Sequence, residues 1–138
     1  MKLSFPKKEK LKSEKIIQRL FTEGKHLFKY PIKLVYLSPS DVSMPAQIQI
    51  AVSVPKKRFK KAVDRNTLKR RMREGVRAHK HYLDKCKIDP STYVGIMLIY
   101  VSSDKENSRK IHRTIEHLFS LLPAHLTQII EKDERLET

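Results

Sequence analysis

The sequence predicts one domain of mixed helices and strands in the order α-β-β-β-α-β-α. Three observations carry this: apolar residues at helical spacing near both ends, an alternating strand at 46–54, and a continuously apolar run at 93–101. At 138 residues the chain has the length of one ordinary domain, enough to bury a core without disulfide or metal staples. An apolar content of 39% argues for a folded chain, and 33% charged residues with only 3 glycines argue for a densely charged surface.

In SEKIIQRLFTEG, Ser13 caps a first helix whose Ile16, Ile17, Leu20 and Phe21 share a face, and Gly24 sits where that helix stops. HLFKYPIKLVYLS follows with aromatic and β-branched residues, and Pro31 separates a short edge strand from a longer strand at about 32–38. The turn-forming SPSDVSMP then reverses the chain. In AQIQIAVSV, alternation puts Ile48, Ile50, Val52 and Val54 on one face and Gln47, Gln49 and Ser53 on the other. YVGIMLIYV reads as a central strand covered on both faces, although periodicity alone leaves a buried helix open.

A last helix over 104–122 is capped by Asp104, Asn107 or Ser108 and carries Ile111, Ile115, Leu118, Phe119 and Leu122 at helical spacing. Pro123 breaks or restarts that pattern. Residues 1–122 therefore form the domain, and 123–138 a C-terminal extension, either a short helix or a charged tail.

Thirty Lys and Arg against fifteen Asp and Glu leave a formal charge of +15, unevenly spread. Residues 55–80 hold 12 basic and 2 acidic side chains, whereas 81–138 hold 8 and 9. Such concentration fits a polyphosphate partner, with an anionic membrane surface as the weaker alternative. The single Cys86 forms no internal disulfide, the start MKLSFPKKEK lacks the apolar core of a secretory signal, and no apolar run approaches the roughly 20 residues that span a bilayer. These features point to the cytoplasm and away from a membrane.

If 66–83 is helical, residues rotate by about 100° each, and Leu68, Met72, Val76, His79 and Leu83 fall on one narrow stripe. Asn66, Lys69, Arg70, Arg73, Arg77 and Lys80 group on another face, with Arg71 and Glu74 to its flank. Solvated helix faces normally alternate sign to gain i,i+4 pairs; here Asp64 and Glu74 are the only acids among twelve cations. Arginine's planar fork also makes bidentate contacts to phosphate that lysine does not. Asn66 offers a donor and an acceptor to a base edge or sugar hydroxyl, or else caps the helix. Just upstream, PKKRFKK adds Lys56, Lys57, Arg58, Lys60 and Lys61.

No P-loop, nucleophile elbow or zinc pattern accompanies this charge: His79 and His81 stand two apart in a basic helix, and His79 reads as a packed residue. Asp84 and Asp89 read as residues of the helix end.

The stretch SVPKKRFKKAVDRNTLKRRMRE resembles the protein component of bacterial ribonuclease P. That family's strand-then-helix signature stands here as Ser53, Lys56-Lys57, Ala62-Val63, Arg65-Asn66, Lys69-Arg70 and Arg73-Glu74. LKSEKIIQRLFTEGK resembles its first helix and YVGIMLIYV its last strand, so the likeness reaches most of the chain. Ile17 stands where the family usually has an aromatic residue, and the usual glycine before Lys-Ala-Val is absent.

The resemblance implies an α+β two-layer sandwich with a four-stranded sheet and a left-handed βαβ crossover, like the second domain of ribosomal protein S5. Such a hand runs against the general right-handed rule. It implies that Arg65, Asn66, Lys69, Arg70, Arg73 and Arg77 face the catalytic RNA subunit. A cleft between the first helix and the sheet would hold the single-stranded 5′ leader of precursor tRNA, with Phe21 and Tyr36 as leader-binding aromatics, Phe28 or Tyr30 as further candidates, and Lys56 and Lys57 at its edge.

No catalytic side chain is expected: Mg2+ held mainly by the RNA would perform the cleavage, with no obligate protein partner. A basic ribosomal or ribosome-assembly protein is the rival reading, which the ordered signature disfavours. A DNA-binding regulator is disfavoured because no short-turn helix pair precedes the basic helix.

Overall fold

The computed structural model describes residues 6–41, 47–85 and 92–137. Cys86, Asp89 and the 42–45 part of the turn SPSDVSMP lie outside the described residues. The elements are α1 (Glu14–Glu23), β1 (Lys25–Lys29), β2 (Ile32–Leu37), β3 (Ile48–Ser53), α2 (Ala62–His79), β4 (Val94–Tyr100) and α3 (Ser108–Glu137), with short 3-10 turns at Lys7–Glu9 and Lys80–Lys85. This is the α-β-β-β-α-β-α order, and 93–101 holds a strand, not a helix.

The sheet order is β1-β2-β4-β3, with β1–β2 and β2–β4 antiparallel and β3–β4 parallel. A parallel pair needs a crossover, and α2 supplies it. Alternation then divides the side chains between two faces. Ile32, Leu34 and Tyr36 of β2, Ile50 of β3, and Val94, Ile96, Leu98 and Tyr100 of β4 pack against Leu68, Met72 and Val76 of α2 and Ile111, Ile115, Leu118 and Phe119 of α3. On the opposite face Val35 and Met97 pack with Leu11 and with Ile16 and Leu20 of α1.

Local chemistry explains the helix ends. The Ser13 Oγ accepts from the Ile16 N–H at 3.4 Å, and Asn107, of the three candidate caps, accepts from the Lys110 N–H at 2.9 Å through Oδ1. Gly24 ends α1 at φ −67° and ψ 151°, an extended backbone open to any residue. Its role is spatial, since a Cβ there would collide with the Leu20 carbonyl oxygen and Val35 Cγ1.

Two expectations change. The basic helix begins at Ala62, earlier than Asn66, and tightens into a 3-10 turn after His79. Pro123 does not interrupt α3, which runs on to Glu137. Proline withdraws one backbone donor, but burial of Leu122 and Leu126 on either side of it holds the helix to the core.

The free edge of β3 is covered by the N-terminal segment. Lys10 pairs with Ile50, the Leu11 N–H donates to the Ile50 carbonyl at 3.0 Å, and Gln49 Nε2 donates to the Lys8 carbonyl at 2.9 Å. Unpaired edges invite association with other chains, and this strap blocks one.

Candidate nucleic-acid interface

On α2 the apolar stripe and the charged stripe separate as the spacing predicts. Leu68, Met72 and Val76 are fully buried, Asn66, Arg70 and Arg73 are exposed, and Lys69 and Arg77 are half-buried. Among the described residues, Lys69, Arg70, Arg73 and Arg77 make no ion pair. Asn66 lies in the second turn, and the N-cap position is Lys61, so the capping role is excluded.

The neighbouring cations have structural partners. Arg65 Nη1 donates to the carbonyls of Phe59 and Lys60, at 2.9 Å each. Arg71 Nη1 donates to the Glu106 carbonyl at 2.8 Å, tying α2 to the start of α3. Lys80 Nζ lies 2.8 Å from Glu9 Oε2 and fastens the N-terminal strap. Arg65, which the resemblance groups with the RNA-facing residues, is engaged by the loop that precedes α2.

That loop is PKKRFKK, and its anchor is the residue that basicity conceals. Phe59 is buried, with its ring 5.8 Å from that of Tyr100. Lys56 and Lys57 stand exposed in the turn just after β3. A buried aromatic and the Arg65 fork thus hold a string of cations in one shape.

The cleft that the resemblance implies would lie on the opposite face of the sheet, beside α1. Phe21, on the flank of α1 one turn beyond Ile17, is 61% exposed although its neighbour Leu20 is buried. Pairing brings Phe28, Lys33, Ile99 and Ser53 into one row across all four strands on the α1 face. Four strands at about 4.8 Å spacing make that row about 14 Å long. It presents an exposed aromatic, a cation, an apolar side chain and a hydroxyl. Lys33 and Ile99 escaped the sequence reading, although counting by twos from Val35 and Met97 finds both.

Tyr36 does not belong there. It is buried on the α2–α3 face, opposite Ile96 of β4, because period-two alternation places it with Ile32 and Leu34. Tyr30 is also directed elsewhere: its hydroxyl lies 2.7 Å from Ser102 Oγ near the start of α3.

At the end of α2, His79 is half-buried with Nδ1 3.8 Å from Glu116 Oε2, and the His112 ring meets it edge-on at 5.7 Å. Burial holds the His79 imidazole below its ordinary pKa against the upward pull of Glu116, and His112 and His81 add to the lowering. Among the described residues, no three His, Cys, Asp or Glu side chains gather to hold a metal ion. No described helix is long and apolar enough to cross a membrane.

A basic helix with one face in the core, a shaped cationic loop and an aromatic-bearing sheet face define an α+β protein with a surface suited to a polyanion. The family model described as Ribonuclease P matches residues 5–122. A ribonuclease P protein component of Porphyromonas gingivalis is 36% identical over 110 residues, 80% of each chain. One from Chlorobium phaeobacteroides is 42% identical over 82 residues, covering 58% of this chain and 56% of its own.

The ribonuclease P protein of Staphylococcus aureus superposes with a TM-score of 0.63 at 21% identity, over 83% of this chain and 94% of its own. That of Thermotoga maritima gives 0.61 at 21% identity, over 81% and 96%. The chain belongs to the ribonuclease P protein family, the protein component of an endoribonuclease that processes tRNA.

Proposed function

We propose that this chain binds the catalytic RNA subunit of ribonuclease P through α2 and the 5′ leader of precursor tRNA through the α1 face of the sheet. In doing so it assists metal-dependent endonucleolytic removal of the leader in the cytoplasm. The carrying observation is the outer face of α2, where Lys69, Arg70, Arg73 and Arg77 stand without ion-pair partners among the described residues and Asn66 is exposed beside them. Such a face gains most from phosphates and 2′-hydroxyls of a folded RNA.

An unpaired leader needs stacking surfaces and positive charge, which Phe21, Phe28 and Lys33 offer. Lys56 and Lys57 extend that charge at the end of β3. In this reading Mg2+ is held mainly by the RNA subunit, and no chemical step passes through a protein-bound ion. The protein's part is to bind two RNAs and relieve the repulsion between them.

The test is cleavage of precursor tRNA by the protein-free RNA subunit at low Mg2+, with and without the purified chain. Stimulation of 5′ cleavage is expected, and its absence overturns the reading.

A further inference from the structure

The near-neutral balance of residues 81–138 conceals a local excess of positive charge. An open cavity of about 560 Å3 lies between the end of β1 and the first turns of α3, lined by Lys29, Tyr30, Arg109, Lys110 and Arg113. That volume suits a nucleotide-sized ligand. Among the described residues, none of its four cations forms an ion pair. Arg109 and Arg113 are four residues apart on α3 and so share a face.

Tyr30 is held rigidly at this cavity. Its hydroxyl is bonded to Ser102 at 2.7 Å and Glu106 at 3.4 Å, its carbonyl accepts from Thr114 Oγ1 at 3.3 Å, and Lys110 Nζ lies 5.4 Å from its ring centroid. The ring remains partly exposed. Glu106, the acid that reaches this wall, is bonded to Tyr30 and not to a cation. Four uncompensated cations beside a fixed aromatic ring match phosphates with an adjoining base; an acidic peptide would use the charge and leave the ring idle.

β1 and β3 are the two edges of the sheet, so this cavity and the charged face of α2 flank opposite sides of the α2–α3 layer. Both belong to the helical layer, and the row containing Phe28 and Lys33 lies on the other face. We infer that the α3–β1 cavity is a second docking point for the RNA subunit, taking phosphates of one strand while Tyr30 stacks on a base. This rests on the reading that α2 docks the same RNA.

The test is RNA-subunit binding across a salt series by the full chain and by Arg109→Ala/Lys110→Ala/Arg113→Ala. Three lost phosphate contacts should lower the log–log salt slope by about 2 and weaken binding about tenfold, with affinity for precursor tRNA alone unchanged. Lys29→Ala/Lys110→Ala, which spares both arginines, should lower the slope by about 1.5 and serves if the triple variant misfolds. Arg70→Ala/Arg73→Ala, measured in parallel, tests the α2 reading separately. Unchanged RNA-subunit binding in the cavity variants, beside weakened binding in the α2 variant, overturns the cavity alone. A loss confined to precursor tRNA, or to an acidic peptide probe, also overturns it.

Discussion

The two faces of the sheet are covered to different extents. Two helices lie side by side on one face and close a continuous core that includes Leu68, Met72, Ile115 and Phe119. The ten-residue α1 covers the other, where a smaller cluster around Ile16, Leu20 and Val35 leaves Phe21 and Phe28 largely exposed. Where helices cover a sheet fully, the strands are used up in packing and the outer helix surface is left for ligands. Where cover is partial, the sheet itself remains available, and large apolar side chains stay at its margin. The first arrangement suits a folded RNA met by charge; the second suits a single strand met by stacking.

The contrast can be tested first through stability. Leu68→Ala should cost about 3 kcal/mol in denaturant unfolding, while truncation of the half-buried Ile17 should cost about 1 kcal/mol. Equal losses would mean that α1 is packed as fully as α2. Next in size, Arg70→Ala/Arg73→Ala should weaken RNA-subunit binding about tenfold and lower its salt slope by about 1.5, with the melting temperature unchanged. An unaltered slope would remove α2 from the docking surface.

Phe21→Ala should reduce affinity for leader-bearing precursor by about 1 kcal/mol, the low end of base–aromatic stacking, and leave mature tRNA binding unaffected. A matching loss of folding stability would make Phe21 a packing residue. The smallest effect concerns His79. With its folded pKa held below the unfolded value, the unfolded state takes up the proton first as pH falls, so stability declines below about pH 6.5. His79→Gln should make stability between pH 7 and 5 less steep, as read by thermal melts.

Much of the candidate interface was legible because helical spacing is local. The separation of Leu68, Met72 and Val76 from Arg70 and Arg73 requires only the α-helical period, and it holds although the helix starts earlier than expected. The split among the arginines was not legible. Arg65 and Arg71 have the same charge and flexibility as Arg70, and only the positions of the Phe59, Lys60 and Glu106 carbonyls commit them to structure. Tyr36 shows a different failure: alternation within β2 already paired it with Ile32 and Leu34, but which face α1 would cover was not a local matter.

The sequence by itself determined the alternation of β3, the apolar character of 93–101 and the division of α2 into a buried and a charged face. Each follows from side-chain periodicity or from the length of an apolar run. Only the tertiary structure decided which cations are already satisfied, the row from Phe28 to Ser53, and the cavity joining Lys29 to Arg113. These depend on strand register and helix docking, which bring together residues as far apart as 29 and 113. No spacing rule reaches that far, because such contacts are set by how the whole core closes.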